Sequence, residues 1–241
     1  MSIKILVNGA SGRMGEATVA AIEQHANLQL VGQAGRKDNL VEMIRVTKAR
    51  VVVDFTNAKS VFTNTKMIID AGVHGVIGSS GLLPEQVQQL QVLAAKQKLG
   101  GIIAPNFCIG AVLMMMFAAQ AAKYFPRAEI IELHHDKKHD APSGTAIKSA
   151  EMIAAVRENQ DVDCDETLVG ARGATLNNVP IHSVRLQGLL AHQEVLFGNP
   201  GELLTIRHDS FERQAFMPGV CLACEKVVAL DEWVYGLENI L

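Results

Sequence analysis

Apolar residues along the first hundred positions follow two alternating rhythms. Short unbroken runs at 3–7, 28–32, 51–55, 73–77 and 101–104 have the length and composition of strands buried on both faces. Between them, 15–25, 61–71 and 84–98 space their apolar side chains by three and four, the period of a helix packed along one stripe. Strands that alternate with helices build a parallel sheet covered on both sides, so this part of the chain predicts a doubly wound, Rossmann-like α/β domain.

Past Pro105 the rhythm changes. Residues 110–124 form one long apolar helical stretch, 129–135 a strand that breaks into a polar loop, and 143–159 a further helix. Strand-like pieces follow at 182–186, 194–197 and 203–208, with Asn199-Pro200-Gly201 as a turn among them. This predicts a mixed α+β second domain. The last helical stretch, 214–230, is apolar enough to return to the first sheet. The expected division is therefore 1–105 completed by 214–241, and 106–213. The acidic segment 158–165 reads as a solvated loop.

Composition narrows the setting. A chain of 241 residues with 49% hydrophobic content supplies core material for two modest domains. A net charge of -3, with no long basic run, gives no general pull toward nucleic acid. The longest apolar run stops at Lys123, too short for a bilayer, and the opening residues lack a signal-peptide pattern. A soluble cytoplasmic protein, with neither a nucleic-acid nor a membrane partner, is expected. Of the cysteines Cys108, Cys164, Cys221 and Cys224, the last two make a C-x-x-C. That pair sits in an apolar run with no second Cys or His pair at metal spacing, so it reads as packing in a buried helix.

Directly after the first strand comes Gly9-Ala10-Ser11-Gly12-Arg13-Met14-Gly15, and then a helix. Such a turn lets backbone N–H groups approach a pyrophosphate at a helix N-terminus, where the dipole favours negative charge. The spacing is G-x-x-G-x-x-G, a variant of the usual G-x-G-x-x-G, and its place between strand and helix is what gives it weight. An NAD-selective site usually carries an acid about twenty residues further on. Here the second strand ends in Gly35 followed by Arg36 and Lys37, which suit a 2′-phosphate. NADPH is the preferred cofactor on this reading, with NADH possible. Gly78-Ser79-Ser80-Gly81 and Pro105-Asn106-Phe107 fall where later strands end, the crevice side of an open α/β sheet.

The densest chemistry lies in Glu129-Ile-Ile-Glu132-Leu-His134-His135-Asp-Lys-Lys138-His139-Asp140-Ala-Pro142-Ser143-Gly144-Thr145-Ala146. A strand becomes a polar loop, and Ser143, a favoured N-cap, opens a helix. Histidines and lysines beside a helix N-terminus make a place for an anion and a proton donor. The N–H groups of Gly144 and Thr145, with the hydroxyls of Ser143 and Thr145, can grip a carboxylate. A metal site at His134, His135 and His139 is disfavoured by Lys137 and Lys138, and none is expected.

This run resembles the signature of the dihydrodipicolinate reductases, and the likeness continues in Gly9–Gly15, in Asp54-Phe55-Thr56, and in the later segments Gly78–Gly81 and Asn106-Phe107. The resemblance covers the whole chain in order. It implies NAD(P)H-dependent reduction of 4-hydroxy-tetrahydrodipicolinate, a cyclic dicarboxylate of the diaminopimelate and lysine pathway. It also implies a homotetramer joined through the second domain. By position, His134 would be the general acid with Lys138 as partner, and His135, Ser143, Gly144, Thr145 and Arg213 would bind substrate. Two departures stand out: Gly35 replaces an acid, and Ser79-Ser80 replace a Thr pair. Two other classes stay open from the residues alone, another Rossmann oxidoreductase acting on an amino-acid derivative and a non-catalytic NAD(P)H sensor.

Overall fold

Five apolar runs become the strands β1 (Ile3–Asn8), β2 (Leu28–Ala34), β3 (Val51–Asp54), β4 (His74–Ile77) and β5 (Gly101–Ile103) of one parallel sheet. The computed structural model describes residues 2–157 and 164–241. Every residue of β3 is buried, which is why that strand reads as an unbroken apolar run rather than an alternation. The strand order is β11-β5-β4-β3-β1-β2, with β11 at Trp233–Tyr235. The order reverses beside β1: β2 lies on one flank and β3 on the other. The crevice outside the carboxyl ends of β1 and β3 is thus the switch point where this architecture places ligands.

Helices α1 (Arg13–Glu23), α2 (Leu40–Thr47), α3 (Val61–Asp70) and α4 (Pro84–Ala95) connect these strands. In α1 the buried residues are Gly15, Thr18 and Ile22, a stripe at helical spacing. Helix α7 (Met217–Lys226) packs on α1 and on β1 and β2, as its apolar pattern predicts. Cys221 and Cys224 are buried in it and free. Burial, with Glu225 nearby, pushes the Cys221 thiol up to about 11, and Cys224 is also raised, so both stay protonated packing groups.

Around this sheet one α-helix and one strand go unpredicted, as does the short strand at Ala174–Leu176 in the second unit. Helix α2 carries its signal openly, with Asn39 capping the N–H of Glu42 at 3.2 Å and apolar Leu40, Met43 and Ile44 at helical spacing. Strand β11 does not, because three residues are too few to show a period. It is held by Trp233, whose ring occupies the space where a Cβ on Gly75 or Gly101 would stand, 2.4 and 2.2 Å from ring atoms.

The chain divides into two units, Met1–Ile109 with Arg213–Leu241, and Gly110–Glu212. The second holds a five-stranded mixed sheet in the order β10-β9-β6-β8-β7. Its strands are β6 (Arg127–His134), β7 (Ala174–Leu176), β8 (Val179–Arg185), β9 (Ala191–Asn199) and β10 (Glu202–Ser210). Strand β6 runs parallel to β8 and antiparallel to β9. The β9–β10 hairpin pairs Asn199 with Glu202 and Ala191 with Ser210, so both strands run past the apolar positions that announce them. Helices α5 (Ile109–Ala122) and α6 (Gly144–Ala154) cover one face. Ala118, Ala122, Ala146, Ala150 and Ile153 pack there on Ile130, Ile181, Val195 and Phe197. Helix α6 ends at Ala154, short of the predicted Asn159, and residues 155–157 leave it as a turn and bend; residues 158–163, with the rest of that predicted extension and most of the acidic segment, lie outside the described residues. No helix among the described residues is long and apolar enough to cross a membrane.

Candidate active site

In the first unit the candidate residues gather where β1 turns into α1. Gly9 has φ +82, and a Cβ there would lie 2.5 Å from the Phe55 carbonyl oxygen. At Gly15 a Cβ would lie 2.1 Å from the Gly9 oxygen, so α1 sits against the turn only because that position is bare. Gly12 differs: its Cβ would meet one neighbouring atom, the Gly9 oxygen at 3.3 Å. Gly12 is the N-cap of α1 and, being glycine, gives the first-turn N–H groups no side-chain cap. A cleft of about 600 Å³ opens here, lined by Gly9, Ser11, Gly12, Arg36, Lys37, Phe55 and Thr56 among the predicted residues. Bare backbone at a helix N-terminus beside two cations fits the phosphates of a dinucleotide.

The same cleft is lined by Asn8, Gly35, Asp38, Leu40, Asn57, Ser60 and Asn64, which sequence reasoning did not assign to the cofactor. Asp38 is the informative one. Its carboxylate accepts the Gly35 N–H at 2.8 Å, tying the turn that presents Arg36 and Lys37. Ala10 and Gly15 are buried packing positions, and Arg13 and Met14 start α1 outside the cleft lining.

Asp54 is fully buried. Its carboxyl accepts from Asn8 Nδ2 at 2.8 Å, Asn64 Nδ2 at 3.0 Å, Thr56 Oγ1 at 2.7 Å and Ser79 Oγ at 2.5 Å. It therefore fixes Thr56 and Ser79, at the ends of adjacent strands, from beneath. Phe107 is buried edge-on to Phe55, with centroids 5.8 Å apart, and Gly78 leaves room for both rings. Asn106 Oδ1 accepts the Cys108 N–H at 2.8 Å. Ser80 and Pro105 are exposed in the neighbouring loops.

In the second unit the candidate residues gather where β6 ends. Ala128, Ile130, Glu132 and His134 alternate onto the face that α6 covers, so a glutamate occupies a core position. Glu132 is fully buried, and four donors converge on it. His134 Nδ1 bonds one oxygen, Arg185 donates to both at 3.0 and 2.9 Å, and the Ser143 N–H donates at 3.3 Å. Burial alone would raise its pKa, but hydrogen bonds from His134, Arg185 and Ser183 hold it at about 2. With Nδ1 so engaged, Nε2 is the nitrogen of His134 left to meet a ligand.

Ser143 caps α6, its Oγ accepting the Ala146 N–H at 3.2 Å, and the residue is almost completely buried. Nothing lies within 4 Å of where a Cβ on Gly144 would stand, so the head of α6 is open there. Ser149 Oγ donates to the Thr145 carbonyl at 2.8 Å and receives Gln193 Nε2 at 2.7 Å, which braces that first turn from behind. Lys138 Nζ is held by Asp140, at 2.6 and 2.8 Å, and not by His134. The lysine draws the Asp140 carboxyl below its ordinary range. Lys138 and His135 are partly buried while Lys137 and His139 are exposed, which separates the inward pair from the outward one. Arg213 opens the short turn Arg213–Phe216 and belongs to the first unit rather than the second. Glu132, Arg185, Asp140, Ser149, Ser183 and Gln193 are polar residues here that sequence reasoning gave no role. A charged residue in phase with the buried face of a strand was the signal for Glu132.

A parallel nucleotide-binding sheet with a glycine-lined phosphate cradle, joined to a unit presenting a histidine beside an anion-ready helix end, defines an NAD(P)H-dependent oxidoreductase. The comparisons with known proteins make this particular. Residues 3–107 match the family domain described as dihydrodipicolinate reductase, N-terminus, and 110–241 match its C-terminus. The chain belongs to the dihydrodipicolinate reductase family. It is 50% identical over 242 residues to a 4-hydroxy-tetrahydrodipicolinate reductase of Coxiella burnetii, covering 100% of both chains. It is 50% identical over 255 residues to the protein so named in Streptococcus sanguinis, again covering 100% of both. Among solved structures, a dipicolinate-bound dihydrodipicolinate reductase from Paenisporosarcina sp. TG-14 superposes with a TM-score of 0.92 at 46% identity, covering 100% of each chain. An amine dehydrogenase of Mycobacterium smegmatis, at 13% identity and TM-score 0.68, shares the fold alone.

Proposed function

We propose that this protein reduces 4-hydroxy-tetrahydrodipicolinate to tetrahydrodipicolinate with NAD(P)H, a step of diaminopimelate and lysine biosynthesis in the cytoplasm. The observation that carries the reading is the pairing of His134 with Glu132 beside the open head of α6. Loss of the 4-hydroxyl as water leaves a C=C conjugated with the ring C=N. The reduced nicotinamide, when bound, supplies the hydride that adds to this system. The displaced electron pair is delocalised over the adjacent ring carbon and the ring nitrogen, and His134 Nε2 donates the proton that adds at that carbon and restores the C=N. Lys138, held by Asp140, keeps a positive charge near the substrate. The helix N-terminus at Gly144 and Thr145, with Ser143, His135 and Arg213, holds the carboxylates and fixes which ring atom faces the donor.

NADPH is the preferred cofactor, with NADH as an alternative. Arg36 and Lys37 line the cleft, and Asp38, the acid nearest them in the chain, is engaged with the Gly35 N–H. A homotetramer is proposed as well. One face of the second sheet is covered by α5 and α6, while the other presents partly buried Ile131, Leu133 and Leu196 with exposed Leu203 in the single chain. Light scattering at micromolar concentration tests it, and a monomer refutes it.

The test of the proton donor is His134→Gln, which keeps a polar side chain and removes the titrating proton. The expected loss in kcat is about 10²-fold or more, with a smaller change in KM. Lys138→Met acts in the same direction, and His139→Ala stays near wild type. A His134→Gln variant changed only in KM would refute the assignment.

A further inference from the structure

Glu132 is the only carboxyl group of the second unit fully withdrawn from solvent among the described residues, and neither proton donation nor carboxylate binding accounts for it. If it served only to hold strands together, Arg185 alone would be sufficient partner. An aliphatic pair in the same space would avoid the solvation lost in burying both charges. Yet the carboxyl group reaches three separate pieces of the site. It takes the Nδ1 side of His134 and the N–H of Ser143 at the head of α6. Through Arg185, whose Nη2 also donates to the Asp140 carbonyl at 2.6 Å, it also reaches the loop that carries Lys138.

We infer that Glu132 is the positioning residue of the proton donor: held by the Arg185 fork, it accepts Nδ1–H of His134, leaves Nε2 as the nitrogen that carries the transferred proton, and registers that nitrogen against the head of α6. The inference rests on His134 being the donor. In the step itself, the Nε2–H bond breaks and its proton joins the substrate ring. The electron pair stays on Nε2, and Glu132 keeps its hydrogen bond throughout. Charged or titratable groups on the same face of the sheet, and on the loop and helix beside it, include Arg185 on β8, His208 on β10, His135, Asp136, Lys137, Lys138, His139 and Asp140 in the loop, and Lys148 and Glu151 on α6. Of these, only Arg185 shares the carboxyl group with His134.

Glu132→Gln tests this, because the amide keeps an acceptor for Nδ1–H while removing the charge. Arg185 then faces His134 without its counter-charge, so the imidazolium is disfavoured. The alkaline limb of the kcat profile should move down by about one pH unit or more. The kcat at neutral pH should fall about tenfold, with KM changing by less. Glu132→Asp, which keeps the charge, should return the limb toward the wild-type position. A limb that stays in place, or a change confined to KM, overturns the inference. If Glu132→Gln does not fold, the double variant Glu132→Gln with Arg185→Met removes both buried charges. A wild-type kcat in that protein overturns the inference, and a loss of about tenfold or more with inhibitor affinity retained supports it. His134→Gln is measured alongside. If it is impaired while Glu132→Gln leaves the limb alone, only the positioning role falls; if it is fully active, the donor assignment falls and the positioning role with it.

Discussion

The three glycines of the β1–α1 turn are alike in sequence and unlike in what they do, and alanine substitution should separate them. At Gly15 the new methyl would stand 2.1 Å from the Gly9 oxygen and 2.7 Å from the Ala10 Cα, both backbone atoms that no rotamer change can move aside. Relieving the clash requires α1 to lift from the turn by about 1 Å. Overpacking of this kind costs about 1–3 kcal/mol, offset by up to about 1 kcal/mol because alanine favours the helix interior. The net is a loss of about 1–2 kcal/mol, or roughly 2–8 °C in Tm for a chain of this size. At Gly12 the only close atom is 3.3 Å away and φ is an ordinary -83°, so the fold tolerates a methyl. That methyl would stand before the N–H groups that line the phosphate cradle. Losing one charge-assisted hydrogen bond costs about 1.5–3 kcal/mol, which raises the dinucleotide Kd about tenfold or more. Thermal unfolding and fluorescence titration with NADPH read the two effects independently. A Gly15→Ala protein with wild-type Tm, or a Gly12→Ala protein with wild-type cofactor affinity, would refute the division of labour.

Three further outcomes follow from the same geometry. Arg36→Ala should raise KM for NADPH more than for NADH, and equal effects on both would mean that Arg36 does not read the 2′-phosphate. Dipicolinate should compete with substrate, and Thr145→Val should weaken that inhibition; unchanged inhibition would remove the head of α6 as the carboxylate seat. Glu132 titrates at about 2 in the folded chain against 4.5 for a free glutamate. Its stabilising contribution is therefore complete above about pH 4.5 and fades as pH falls toward 2. Denaturant unfolding of wild type and Glu132→Gln should show a stability gap that narrows across that window, and a gap constant with pH would contradict the assignment.

Much of the fold was legible because burial on both faces leaves strands such as Val51–Asp54 as solid apolar runs. Boundaries were not, because the β9–β10 ladder continues through polar residues whose backbone pairs regardless of side chain. Strand β11 depends on the Trp233 ring over glycines distant in the chain, which no local window contains. At the site, His134 and Ser143 declare themselves by residue type and position. Arg185 does not: it lies 53 positions from Glu132 and meets it only through the pairing of β6 with β8. Asp38 was visible as a letter, but its bond to the Gly35 N–H depends on the turn that the structure displays.

The most direct measurement supplies the purified protein with 4-hydroxy-tetrahydrodipicolinate, made in place by a dihydrodipicolinate synthase, and follows the oxidation of NADPH and NADH separately. Cofactor oxidation that depends on the synthase product, is faster with NADPH and is suppressed competitively by dipicolinate is the predicted result. Absence of product-dependent oxidation with either cofactor would contradict it.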